Sequence, residues 1–136
     1  MEVISSKDYV EKAEEVITKL ISEAKELAVK QNRRNYQILS TSQIRKQLSM
    51  TTELLSLAES ESSDKLSQEI VEKIEYLRVQ FVYQAGREQL VRKFVEKAGI
   101  LKILKSINSN KEDFLTFCRY MEALVAFRKY HCEVDS

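Results

Sequence analysis

The 136-residue chain contains no proline and no tryptophan, and only two glycines, Gly86 and Gly99. Proline and glycine are the residues that most readily stop a helix, so helices here can run long. The same scarcity leaves no glycine-rich loop able to cradle a phosphate. There is one histidine, His131, and there are two cysteines, Cys118 and Cys132, which is too few ligands for a zinc cage. Both cysteines fall in one C-terminal helical stretch. Their separation of 14 residues corresponds to about 21 Å on a straight helix, beyond disulfide reach. A reducing, cytoplasmic setting is therefore expected. The first seven residues lack a basic segment followed by an apolar core, so no signal peptide is expected. No apolar run approaches the roughly 18 residues that would span a bilayer. Strict apolar/polar alternation between turn dipeptides is also missing, which argues against a sheet.

A catalytic constellation is equally hard to assemble. His131, Cys132 and Glu133 are sequence neighbours and would not share a helix face. Cys118 stands at a core-facing position, where a thiol behaves as a small hydrophobe. Asp64, Glu69, Glu72 and Glu75 read as an acidic helix start that suits the helix dipole rather than as a metal cluster. The expectation is a binding protein and not an enzyme, with no cofactor, no metal and no small-molecule substrate.

What is abundant is Lys, Glu, Leu, Ala and Gln, with 32% of residues charged and 43% hydrophobic. This composition favours helix, and the length suits one domain over residues 1–136. The predicted fold is all-α, a compact bundle of about five helices. Val10, Ala13, Ile17, Leu20, Ile21, Ala24, Leu27 and Ala28 recur at three- and four-residue spacing, which predicts a first helix over Lys7–Gln31 capped by Ser6. A polar connector follows at 31–36. The second helix is predicted over Ser42–Ala58, capped by Ser40 or Thr41, and the third from Asp64, capped by Ser63. In that third helix Val79, Phe81, Val82 and Tyr83 point all the way round the axis. Such a helix lies either at the centre of the bundle, the reading favoured here, or under a partner. Gly86 either ends the helix or allows a close approach. A fourth helix over Glu88–Ala98 stops at Gly99. A short amphipathic segment, Ile100–Ile107, follows. The last helix, Lys111–His131, has Ser109 or Asn110 as its cap.

Net charge is only +1, but it is unevenly spread. Two basic blocks, 32–58 and 78–111, alternate with three acidic ones. The blocks are either ordinary solvated faces or a polyanion-binding face with complementary edges between copies. The basic residues form three groups: Arg33, Arg34, Arg45 and Lys46; Arg78, Arg87, Arg92 and Lys93; and Arg119, Arg128 and Lys129. Tyr36, Tyr76, Tyr83 and Tyr120 lie among them. Arginine and lysine contact phosphates and aromatic rings stack on unpaired bases, so such a surface suits single-stranded nucleic acid with little sequence preference. Intrachain salt bridges, such as Arg119 to Glu112 or Glu122, are the alternative.

Three strings carry a family resemblance: Thr41-Ser-Gln-Ile-Arg45, Ile74-Glu-Tyr-Leu-Arg-Val-Gln-Phe-Val-Tyr-Gln-Ala-Gly-Arg87 and Phe117-Cys-Arg-Tyr-Met-Glu-Ala-Leu-Val-Ala-Phe127. They resemble the recurring segments of the small subunit of the type III-A CRISPR effector complex, the Csm small-subunit family. The middle string is the most specific. The resemblance covers about Thr41 to Tyr130, while the first 40 residues match only as a helix. It implies a helical bundle whose copies stack head to tail as a non-catalytic inner filament along the crRNA–target duplex, in antiviral defence. It also implies partners: crRNA and target RNA, other Csm subunits and further copies of this chain, with no membrane. Carried onto this sequence, the RNA-contacting positions are Arg45, Lys46, Arg78 and Arg87, with Tyr83 beside them. A helical protein–protein interaction adaptor is the competing function.

Overall fold

The computed structural model describes residues 4–133; the first three residues of the N-terminal segment and the last three of the tail lie outside it. Among the described residues six helices make up the fold: α1 (Tyr9–Lys30), α2 (Thr41–Glu59), α3 (Gln68–Arg87), α4 (Gln89–Ala98), α5 (Ile100–Ile107) and α6 (Lys111–His131). Among the described residues the only extended pairing is a single bridge between Lys65 and Asn110. The all-α expectation holds, with the short 100–107 segment standing as a helix of its own.

The core surrounds α6, which packs against α1, α2 and α5. Phe114, Phe117, Cys118, Tyr120, Met121 and Leu124 of α6 are all buried. Phe117 stacks on Phe114 at 6.3 Å between centroids and meets the edge of Phe81 from α3 at 6.4 Å. Each close aromatic pair adds to the area it buries. α3 is held by α2, α4 and α5 through Ile70, Ile74, Leu77 and Phe81.

Local chemistry explains where several of the helices begin. Ser40 caps α2 in a reciprocal box: its hydroxyl accepts from the Gln43 N–H at 3.1 Å, and the Gln43 side chain accepts from the Ser40 N–H at 2.8 Å. Asn110 caps α6, accepting from the Asp113 N–H at 3.0 Å. Gly99 adopts φ 68°, the left-handed turn that separates α4 from α5 and that glycine takes at no steric cost.

Two predicted starts are corrected. α1 begins at Tyr9, after a turn in which the Asp8 carboxylate accepts from the Ser5 N–H at 2.7 Å, so Ser6 is not its cap. α3 begins at Gln68 under Ser67, four residues later than the expected Asp64. The reason is tertiary. The Leu66 N–H donates to the Ser109 carbonyl at 2.7 Å and the Lys111 N–H donates to the Asp64 carbonyl at 3.0 Å. Residues 64–66 thus spend their backbone groups on the α5–α6 turn and are not free to enter a helix.

These contacts also define two ends. At the start of α6, Lys111 Nζ donates to the Glu61 carbonyl at 2.6 Å. At its finish, Arg128 Nε donates to the Leu39 carbonyl at 2.9 Å. Lys111 and Arg128 lie on the same helix, about 26 Å apart along its axis.

Candidate nucleic-acid interface

The residues singled out from the sequence separate into those the fold uses internally and those it leaves outside. Arg128 belongs to the first kind. It is 3% exposed, and its guanidinium donates to the Leu39 carbonyl and, at 3.1 Å, to the Thr41 hydroxyl. It ties the connector before α2 to the end of α6, which removes it from the basic surface. Two tyrosines are withdrawn in the same way. The Tyr120 hydroxyl donates to the Ala98 carbonyl at 2.8 Å, and burial raises its pKa. Tyr36 is buried against the tail, where its oxygen accepts from the Glu133 N–H at 2.9 Å. Cys118 is fully buried and its thiol is pushed up to about 12, chiefly by burial. It stays protonated and packs as a hydrophobe.

Arg45 and Lys46 are of the second kind. Both are exposed in the second turn of α2, and neither has a carboxylate partner among the described residues. α2 also lacks an acidic residue in its first turn, so its positive dipole end is reinforced rather than balanced. At the far end of α3, Arg87 lies over the ring of Tyr83, 5.7 Å from the centroid. Tyr83 is 61% exposed, and Arg87 likewise has no carboxylate partner among the described residues. Arg78 differs. It is bound to Glu75 at 2.9 Å, and its Nε is buried without a hydrogen-bond partner. Any phosphate contact by Arg78 would compete with Glu75.

The stretch Val79–Tyr83 is not the bundle centre. Only Phe81 is buried, while Val79, Val82 and Tyr83 face outward together with Tyr76. The remaining sides of α3 point away from its neighbours, so the apolar residues there are uncovered.

Two features escape a reading of the sequence. Tyr130 is 81% exposed at the end of α6, edge-on to His131 at 4.9 Å; His131 Nε2 lies 2.6 Å from a Glu14 carboxylate oxygen, joining α6 to α1. A groove of about 430 Å³ runs between α1, the connector and α4, lined by Leu20, Ala24, Ile38 and Leu90 and edged by Lys93 and Lys97. Lys97 is held by Glu23 at 2.7 Å. None of the five positions carried over from the resemblance lines this groove. No sequence spacing marks it, because three separate elements build it.

The chain matches the Csm2 type III-A family model over residues 14–133. It belongs to the Csm2 type III-A family. The match takes in every candidate position and most of α1, a wider span than the Thr41–Tyr130 segment that carried the resemblance. Among relatives, the Csm2 protein of Streptococcus thermophilus is 44% identical over 96% of this chain and 97% of its own length. The Csm2 protein of Mycobacterium tuberculosis is 46% identical over 68% of this chain and 74% of its own. That of Enterococcus italicus is 34% identical over 76% and 79%. The chain is thus a Csm2-type small subunit of a type III-A CRISPR system. No helix among the described residues is long and apolar enough to cross a membrane.

Proposed function

We propose that this Csm2 chain is a non-catalytic, cytoplasmic building block of an RNA-guided complex, stacking with further copies of itself beside the other Csm subunits and touching target RNA along the crRNA–target duplex. The observation that supports the RNA contact is a set of exposed cations. Arg45, Lys46 and Arg87 stand outside with no carboxylate partner among the described residues, and Arg87 is seated on the exposed Tyr83 ring. Guanidinium and ammonium groups of this kind neutralise phosphates without first giving up an ion pair, and an exposed tyrosine offers a stacking face. Arg78 contributes less on this reading, since Glu75 already holds it. Interactions with phosphates position a strand and do not read its bases.

The test belongs in the assembled complex, where several copies act together. Target-RNA binding is measured at two salt concentrations for wild type and for Arg45→Ala/Arg78→Ala/Arg87→Ala, with subunit stoichiometry confirming assembly. The variant is expected to bind more weakly for all sequences alike and with a shallower salt slope, by up to about one unit for each phosphate it no longer neutralises. Unchanged affinity and slope in a correctly assembled complex would make these arginines structural. The adaptor reading draws on the uncovered apolar residues of α3, and co-purification without RNA or other Csm subunits would favour it.

A further inference from the structure

The groove between α1, the connector and α4 extends beyond its cavity of about 430 Å³. Adjoining cavities of about 380 and 270 Å³ continue it, and all three share Gln37 and Leu90. α1 lines it with Leu20 and Ala24, α4 with Leu90 and Lys93, and the connector with residues 35–39. The connector side differs from the two helical ones. Asn35 and Gln37 are exposed while Tyr36 and Ile38 are buried, the period-two alternation of an extended chain. Among the described residues the backbone N–H and C=O groups of 35–38 make no hydrogen bond within the chain. An extended segment with bare backbone groups is a template for a further strand. Charge adds a second constraint. The carboxylates at the rim are already neutralised, Glu23 by Lys97 at 2.7 Å and Glu96 by Arg92 at 3.3 Å. The exposed cations Arg33 and Lys93 have no carboxylate partner among the described residues, and Arg33 donates to the neutral Gln37 side chain at 2.7 Å. The groove is therefore apolar within and positive at its edge.

We propose that this groove takes an extended segment of a partner protein, one in which apolar residues two apart alternate with aspartate or glutamate. The segment lies alongside residues 35–38 and pairs with their backbone. Its apolar side chains enter between Leu20, Ala24 and Leu90, and its carboxylates meet Arg33 and Lys93. Residues 35–38 offer about 13 Å of edge at roughly 3.3 Å per residue, enough for about four partner residues. In strand addition of this kind the main-chain hydrogen bonds supply affinity and the side-chain pockets supply specificity. A basic segment would be repelled by the same two cations. A nucleic-acid strand would satisfy the cations and leave the apolar lining unused. The inference is independent of the RNA reading, since Arg45, Lys46, Arg78, Tyr83 and Arg87 all lie outside the groove.

The test titrates the full-length chain, to about 1 mM, into labelled synthetic octapeptides and follows fluorescence anisotropy. An alternating glutamate–valine peptide should bind. Alternating lysine–valine and alternating glutamate–serine peptides should each bind about tenfold more weakly or worse, the first through repulsion and the second through lost apolar contact. Methylating the backbone nitrogens of the glutamate–valine peptide removes its donors and should cost about tenfold as well. Lys93→Glu should weaken the glutamate–valine peptide about tenfold. Lys73→Glu makes the same charge change on the exposed side of α3 and should leave binding within about twofold, because salt screens a distant charge. Leu90→Gln should weaken it through the apolar wall, and circular dichroism checks that each variant is folded. No binding of the glutamate–valine peptide overturns the proposal. So does equal binding of the lysine–valine, glutamate–serine or methylated peptide, or an equal loss from Lys73→Glu and Lys93→Glu. Sedimentation in which Lys93→Glu and Leu90→Gln abolish association of the chain with itself also overturns it, by assigning the groove to a second copy. Any of these outcomes leaves the RNA reading standing, because that reading is measured in the assembled complex.

Discussion

α6 and α3 are of nearly equal length and both carry apolar residues on most sides, yet the fold treats them differently. α6 is covered on most sides: α1, α2 and α5 pack against it, and its buried positions include Thr116, Tyr120 and Arg128, which do not fall on one stripe. α3 is covered on one side only. Its buried residues, Ile70, Ile74, Leu77 and Phe81, follow a single stripe, and the apolar residues opposite are bare. An all-round apolar helix thus has two resolutions. One is burial of most of its circumference within its own chain, leaving a narrow, mostly polar strip at Arg119, Glu122, Ala126 and Lys129 outside. The other is a face left for something outside it.

The sharpest way to break this contrast is to remove the ring on which both helices converge. Phe117 is fully buried between Phe114 and Phe81, so Phe117→Ala should cost about 3–5 kcal/mol of stability. Urea unfolding measures it, and a loss under about 1 kcal/mol would mean that α6 is not the centre of the core. A smaller loss is expected at the end of α6. Arg128→Met keeps much of the side-chain volume but strips the Leu39 carbonyl of its donor. Leaving such a buried acceptor unsatisfied costs about 1–3 kcal/mol. The shift in urea midpoint should appear in the free chain, which a surface arginine reserved for RNA would not produce. The smallest effect is expected on the bare face. Val79→Ser should change the stability of the dilute free chain by no more than about 0.5 kcal/mol, as at surface sites generally. A loss of about 2 kcal/mol or more in a melting experiment would show that the face is packed after all.

Much of the architecture is legible in the sequence. The fourth helix, the 100–107 helix and the last helix lie within a residue of their expected bounds, because Gly99 and Asn110 are strong local signals and the stripes between them are regular. The start of α3 is not legible, because Ser63 and Ser67 are equally good caps. The choice between them is made by hydrogen bonds that tie Asp64 and Leu66 to partners more than forty residues away. The basic surface is only partly legible. Arg45, Arg87 and Arg128 look alike in sequence, and the first two stay outside while the third is buried.

What the sequence determined by itself is the helical class, the angular position of each residue on its helix and the family. The first two follow from local energetics: propensity, capping and a 3.6-residue period act within a turn or two. What only the tertiary structure decided is which angular sector of each helix is covered. That depends on where other helices cross, and a neighbour's position is set by packing across the whole chain. So Tyr120 finds the Ala98 carbonyl and Arg128 finds Leu39, while Tyr83 and Arg87, no less polar, find only each other among the described residues, at the open end of α3.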